Sequence, residues 1–154
     1  LNGIVDIFLP DFKYISSEMA ARYSNAPDYP EVAKRALAQM VKQTGDAKFD
    51  ERDMMKRGVI VRHLILPGHI KESKKAIRYL YETYGDQIYI SIMNQYTPMP
   101  GIEKRFKNLG RTITQREYDE VVDYAVDLGV ENGFIQEGET AKESFIPQFD
   151  DTGL

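Results

Sequence analysis

Cysteine is absent from this 154-residue chain. That excludes disulfides, cysteine nucleophiles, thiolate zinc sites and any iron-sulfur ligation by the chain itself. Long apolar runs are missing as well. Nothing approaches the roughly 20 residues needed to span a bilayer, and no charged-then-apolar leader precedes a small-residue cleavage site. A cytoplasmic protein with no membrane partner is expected. Positive charge is not in excess either: 20 Lys and Arg stand against 24 Asp and Glu, a net charge of -4, with no basic stripe of the kind a phosphate backbone requires. Nucleic acid is therefore not an expected partner.

What is present is enough for one ordinary domain, 1–154, with a core: 42% of residues are hydrophobic and no low-complexity linker divides them. The chain starts at Leu1 and enters an apolar run at once through LNGIVDIFL, so it reads as a cut from something longer.

The order of elements is repetitive. IVDIFL at 4 to 9 is a short apolar run of the kind that predicts a strand covered on both faces. PEVAKRALAQMVKQTG from Pro30 predicts a helix with Val32, Ala36, Leu37, Met40 and Val41 on its buried side and Gly45 as its stop. VIVRHLIL at 59 to 66 predicts a second strand, closed by Pro67 and Gly68. HIKESKKAIRYLYETYG then aligns Ile70, Ile77, Leu80, Tyr81 and Tyr84 on one helical face. QIYISIM at 87 to 93 predicts a third strand. In TITQREYDEVVDYAVDLG, Thr114 and Glu117 form a capping-box pattern, ahead of Tyr118, Val121, Val122, Ala125 and Leu128 on one face. GFIQE at 133 to 137 reads as a short last strand, and the polar tail after it as surface chain anchored by Phe145, Ile146 and Phe149. The charged stretch 46–57 has little periodicity and reads as a solvated excursion or hairpin. Strands alternating with helices of this length predict an α/β fold of parallel βαβ units, as part of a barrel or as a small open sheet.

In such folds ligands bind beyond the carboxyl ends of the strands, which directs attention to PDFK at 10 to 13, RHLILPG at 62 to 68 and NQYTPMP at 94 to 100. Asp11 and Lys13 have two readings. One is a turn-favouring aspartate beside a solvated lysine; the other uses the alternation of an extended chain, which turns both to one side to hold a zwitterionic or hydroxyl-rich ligand. Arg62 lies within an apolar strand and needs either a salt-bridge partner or an opening. His63 reads as a hydrogen-bonded core residue, and His69 has no neighbour of metal-ligand spacing, so no metal site is assigned. Asn94, Gln95 and Tyr96 read either as a polar loop with Tyr96 half-buried or as part of a site. The six methionines share no period and read as core filling.

DFKY after the first strand, VRHLILPG around the second and ISIMNQYTP at the third together resemble the pyruvate formate-lyase activating enzyme family of radical S-adenosylmethionine proteins, over most of the chain. The likeness is greatest to its branch of uncharacterised activating enzymes. The resemblance implies a partial (β/α)6 barrel of the TIM type. In that family a four-iron, four-sulfur cluster is held by a CxxxCxxC loop after the first strand. Its reduction cleaves S-adenosylmethionine to methionine and a 5′-deoxyadenosyl radical that abstracts hydrogen from a glycine or another substrate. This chain is similar to the second half of such a barrel, from about the fourth strand onward, with the cluster ligands outside it.

By position, the resemblance implies that Asp11 and Lys13 contact the ribose and amino-acid parts of the cofactor. Leu64 would offer the adenine an apolar contact and Arg62 a polar one. Asn94, Gln95 and Tyr96 fall at the sixth-strand end, where some relatives carry a histidine in place of Tyr96. Implied partners are a glycyl radical enzyme or a small-molecule substrate, and a reductant such as flavodoxin or ferredoxin. No catalytic acid or base is assigned. Two alternatives stand beside this oxidoreductase reading: a cluster-free α/β enzyme using Lys13 as a Schiff-base amine, and a non-catalytic binding or assembly domain. A half-barrel would also leave an unpaired first-strand edge, so self-association is expected through it or through apolar surface meant for the lost half.

Overall fold

A computed structural model describes the backbone of residues 6–137 and 142–145. Its element order is β1 (Ile7–Phe8), α1 (Ser17–Ser24), α2 (Tyr29–Thr44), β2 (Lys48–Phe49), β3 (Met55–Leu64), α3 (Ile70–Tyr84), β4 (Tyr89–Met93), α4 (Gln115–Leu128), β5 (Gly133–Glu137) and β6 (Lys142–Phe145). The sheet runs β1-β3-β4-β5-β6, with β2 pairing β3 off that path. Strands β1, β3, β4 and β5 are parallel neighbours, β6 is antiparallel to β5, and β2 is antiparallel to β3. The chain is an α/β protein with a mostly parallel sheet.

The order of the parallel strands advances in one direction. Right-handed crossovers then carry α2, α3 and α4 to the same face, and one core holds these three. Val59, Val61 and Ile65 of β3 and its extension, Ile90 and Ile92 of β4, and Ile135 of β5 meet Leu37 and Val41 of α2, Ile77 and Leu80 of α3, and Val121 and Ala125 of α4. Each fully buried Leu or Ile stabilises the fold by about 1.5–3 kcal/mol relative to an exposed one. The helices are held as their sequences predict. Thr114 and Glu117 form both hydrogen bonds of the capping box, and Gly45 and Gly85 end α2 and α3.

The opposite face carries Ile60, Arg62 and Leu64 of β3, in register with Tyr89, Ser91 and Met93 of β4. No helix covers this face among the described residues, and apart from buried Ser91 these side chains are only half-buried. The Ser91 hydroxyl has no hydrogen-bond partner among the described residues.

Several expectations need correction. The first strand is shorter than 4 to 9: it is Ile7–Phe8, with Ile4 and Val5 outside the described residues. Nor is it covered on both faces. Phe8 packs on the core, whereas Ile7 and Leu9 are 37% and 55% exposed, because alternation turns them to the helix-free face of an end strand. Helix α1 was not anticipated. Its eight residues bury only Ala20 and fall short of the window of roughly 11 to 18 residues over which helical periodicity is read, although the Ser16 hydroxyl caps it by accepting from the Met19 N–H at 3.0 Å. In α2 the buried stripe is Pro30, Leu37, Val41 and Thr44, and Val32 and Ala36 are exposed.

The charged stretch 46–57 is a hairpin, as one of its readings had it. Its turn is built on the Asp50 carboxylate, which accepts from the Arg52 and Met54 amides at 2.8 and 3.0 Å. This pairing starts β3 at Met55, ahead of Val59. Gly58 allows the close approach: it has φ 148°, and a Cβ there would lie 3.1 Å from Ala47. Part of the tail, Lys142–Phe145, pairs with β5 as a strand and is not simply surface chain. The Phe145 side chain, Ile146 and Phe149 lie outside the described residues. The methionines do not all fill the core, since Met54 and Met99 are 62% and 71% exposed.

Candidate functional site

The chain leaves β1 at Pro10 and continues alongside β3 without forming a regular strand. An isolated parallel bridge joins Asp11 to Arg62. The Arg62 amide donates to the Pro10 carbonyl, and the Phe12 amide to the Arg62 carbonyl, both at 2.8 Å. Phe12 is buried and stacks on Tyr79 with ring centroids 5.8 Å apart. By alternation its neighbours Asp11 and Lys13 face the helix-free side.

There they help line a cavity of about 250 Å³ with Tyr14, Arg62, Leu64, Leu66, Met93 and Tyr96. Its size is near the lower bound of small-molecule sites, roughly 300 Å³. It sits past the carboxyl ends of the parallel strands, where such folds bind ligands. The Arg62 Nε donates to Asp11 Oδ1 at 2.8 Å, so the salt bridge that a strand-borne arginine needs is made with the neighbouring site residue. Both side chains remain over 40% exposed, which makes the pair a feature of the cavity wall and not a buried stabilising bridge. Lys13 is exposed and has no ion-pair partner among the described residues. One carboxylate and two cations leave the polar side with a surplus positive charge, opposite an apolar wall of Leu64, Leu66 and Met93. Such a cavity suits a ligand with an anionic end and a flat or aliphatic body.

Five of the expected site residues, Asp11, Lys13, Arg62, Leu64 and Tyr96, are thus brought to one cavity from segments distant in sequence. Asn94 and Gln95 are not among its lining residues; Gln95 is exposed and Asn94 half-buried. The Tyr96 hydroxyl donates to the Leu109 carbonyl at 2.7 Å, which leaves the ring as its contribution to the wall. Burial raises the pKa of this phenol.

Three lining residues escaped the sequence reading. Leu66 was legible from the period-two alternation 62, 64, 66. Met93 follows only from its register with Leu64. Tyr14 is 6% exposed and reaches Ser24 Oγ at 2.9 Å through its hydroxyl, and no local pattern marks it.

No family model matches the chain, and no solved structure matches it. An uncharacterised protein of Methanocaldococcus jannaschii is 28% identical over 125 residues, covering 81% of this chain and 32% of the relative. The chain therefore spans about a third of the length of the curated relative that it matches.

The two histidines serve the frame around the cavity. His63 is 1% exposed; its Nδ1 lies 2.8 Å from the Phe12 carbonyl and its Nε2 2.8 Å from Ser73 Oγ. A carbonyl only accepts, so Nδ1 carries the proton and Nε2 accepts from the serine hydroxyl. Burial lowers its pKa, against the opposing pull of the Phe12 carbonyl, and keeps the ring neutral. His69 meets the Tyr23 hydroxyl at 2.6 Å through Nε2, and burial lowers its pKa as well. No cluster of metal-ligating side chains occurs among the described residues.

Glu117 ties together the loops on this side of the sheet. Its carboxylate accepts from the Gly68 amide after β3 at 2.9 Å, from Arg111 in the long loop after β4 at 2.7 and 3.0 Å, and from the Thr114 amide at 2.8 Å. The Arg111 guanidinium, aided by the two amides, holds its pKa down to about 2.

Proposed function

We propose that this chain is the carboxyl-terminal part of a radical S-adenosylmethionine enzyme of the glycyl-radical-activating type, and that the cavity holds the cofactor. The observation that carries the reading is the convergence of Asp11, Lys13, Arg62, Leu64 and Tyr96 on one cavity at the strand carboxyl ends. The one-directional strand order supports a partial (β/α)6 barrel over a doubly wound sheet, whose order reverses at its binding crevice. Among the described residues β1 is an end strand, with Ile7 and Leu9 turned to the helix-free face, and this supports a barrel continued by further strands.

The cavity residues fit the group. Lys13 suits the cofactor's carboxylate, Asp11 suits its ammonium and ribose hydroxyls, and Leu64, Leu66 and Met93 suit the adenine, with Arg62 as its polar contact. When bound and reductively cleaved, the cofactor supplies a carbon radical for hydrogen abstraction. The chain's own residues bind and orient it and exclude water from its apolar side. The cluster ligands lie outside this chain, which has no cysteine. Reductant and hydrogen donor are those of the family, a flavodoxin or ferredoxin and a glycyl radical enzyme or small molecule. Lys13 acting as a Schiff-base amine has less support, because its exposed side chain lacks the desolvation that activates such a lysine.

The test uses the full gene product, reconstituted anaerobically with iron and sulfide and assayed for 5′-deoxyadenosine. Formation of the nucleoside, reduced at least about tenfold by Lys13→Ala, is expected if one charge-assisted contact is lost. A gene product without a CxxxCxxC segment, or one that forms no nucleoside, would overturn the proposal.

A further inference from the structure

We infer that Tyr29 is the positioning residue of the cavity, acting through the backbone of Asp11 and Lys13; the functional part of this inference rests on the cofactor reading above. Tyr29 opens helix α2, and its hydroxyl reaches back along the chain to the segment that leaves β1. It accepts from the Lys13 amide at 2.9 Å and donates to the Asp11 carbonyl at 3.0 Å. One hydroxyl thereby joins the two backbone groups that flank Phe12.

No ladder does this work. Pairing of β1 with β3 stops at Phe8, and only the isolated bridge at Asp11 follows. From Asp11 to Ser16 the segment is held largely by side chains. The His63 Nδ1 donates to the Phe12 carbonyl at 2.8 Å, and one Glu72 carboxylate oxygen accepts from the Ile15 and Ser16 amides at 2.7 and 2.8 Å. His63 and Glu72 grip from within the buried side, where each is under 10% exposed. Tyr29 grips from the exposed side, at the two residues whose side chains enter the cavity.

Its ring meets Tyr14, another lining residue, edge-on with centroids 5.7 Å apart. Tyr29 itself is not among the lining residues, so its influence passes through Asp11, Lys13 and Tyr14. Phe12 is pinned to β3 and the core, so without the bridge it is the Asp11 carbonyl and the Lys13 amide that lose their partner. The side-by-side placement of carboxylate and ammonium, which depends on an extended chain there, would then be less tightly fixed. Burial raises the pKa of the phenol above its ordinary 10.0, against the lowering by the Lys13 amide, so the hydroxyl remains both donor and acceptor at neutral pH.

The test is Tyr29→Phe, which keeps the ring and removes the oxygen. In the 154-residue chain, amide hydrogen exchange at Lys13 is expected to quicken by about tenfold or more, with the core amides of Ile77 and Ile92 unchanged as a check on folding. In the full gene product, affinity for S-adenosylmethionine is expected to fall about tenfold by calorimetry. Paired with Lys13→Met in a double-mutant cycle, Tyr29→Phe should cause a smaller further loss than it does alone, since part of its effect passes through Lys13. Unchanged Lys13 exchange, unchanged affinity, or losses that simply add would overturn the inference. A wild-type protein that does not bind the cofactor overturns the cofactor reading instead; faster Lys13 exchange in the variant would then still support Tyr29 as the clamp of this segment.

Discussion

Replacing Glu117 with glutamine should remove a measurable, pH-dependent share of stability. The folded carboxyl has a pKa of about 2 against an ordinary 4.5 for glutamate. The unfolded chain therefore binds more protons than the folded one in the intervening range. The stabilisation is fully present above pH 4.5 and disappears as pH falls through about 2. At about 1.4 kcal/mol per pH unit the ceiling is roughly 3 kcal/mol. The Glu117 side chain is only 12% exposed, but its partner Arg111 is 47% exposed, and solvent screening of that pair brings the expectation to about 2 kcal/mol.

Glutamine fits the same space, yet its single NH2 group must face either the Gly68 or the Thr114 amide, where each carboxylate oxygen offered an acceptor, and the charge that held Arg111 is lost. By thermal and urea unfolding at pH 7, Glu117→Gln should lose about 2 kcal/mol, or about 4–8 °C in Tm for a domain of this size. Its stability should also fall less steeply than that of wild type between pH 4.5 and 2. A variant within about 0.5 kcal/mol of wild type at pH 7, the range of an ordinary surface change, or one with the same acid slope, would refute the reasoning.

Two more outcomes can be checked on the same chain. The edge of β1, unpaired among the described residues and flanked by exposed Ile7 and Leu9, should make the 154-residue chain self-associate at high concentration in sedimentation equilibrium, and Ile7→Lys with Leu9→Lys should suppress it; a wild-type monomer at all concentrations would count against this. His63 is buried with a lowered pKa, so its unfolded form takes up a proton first and folding stability should decline as pH drops below 6.5. In His63→Gln that component of the decline should be missing, and an unchanged slope between pH 7 and 5 would contradict the assignment of a neutral ring.

How far the sequence could be read depended on whether a feature has a local cause. Period-two and helical spacings are imposed by the backbone itself, so β3, β4, α3 and α4 were legible from VIVRHLIL, QIYISIM and the stripes behind them. The capping box at Thr114 and Glu117 was equally local. Helix α1 was not, because eight residues with one buried side chain are too short a stretch for helical spacing to stand out. In α2 the helix was evident, but its buried side was set by where the sheet lies, and that left Val32 exposed.

The sequence by itself determined that this is an α/β chain, that it holds no cysteine ligand, and that its polar residues gather just past the strand ends. Local backbone periodicity and residue chemistry settle those points without reference to distant contacts. Only the tertiary structure decided that Asp11 pairs with Arg62, that Tyr14, Leu66 and Met93 complete the cavity wall, that Asn94 and Gln95 stay out of it, and that Tyr29 bridges Asp11 and Lys13. Asp11 and Arg62 are 51 residues apart. Strand order and register bring them together, and these are fixed by packing of the whole sheet against its helices.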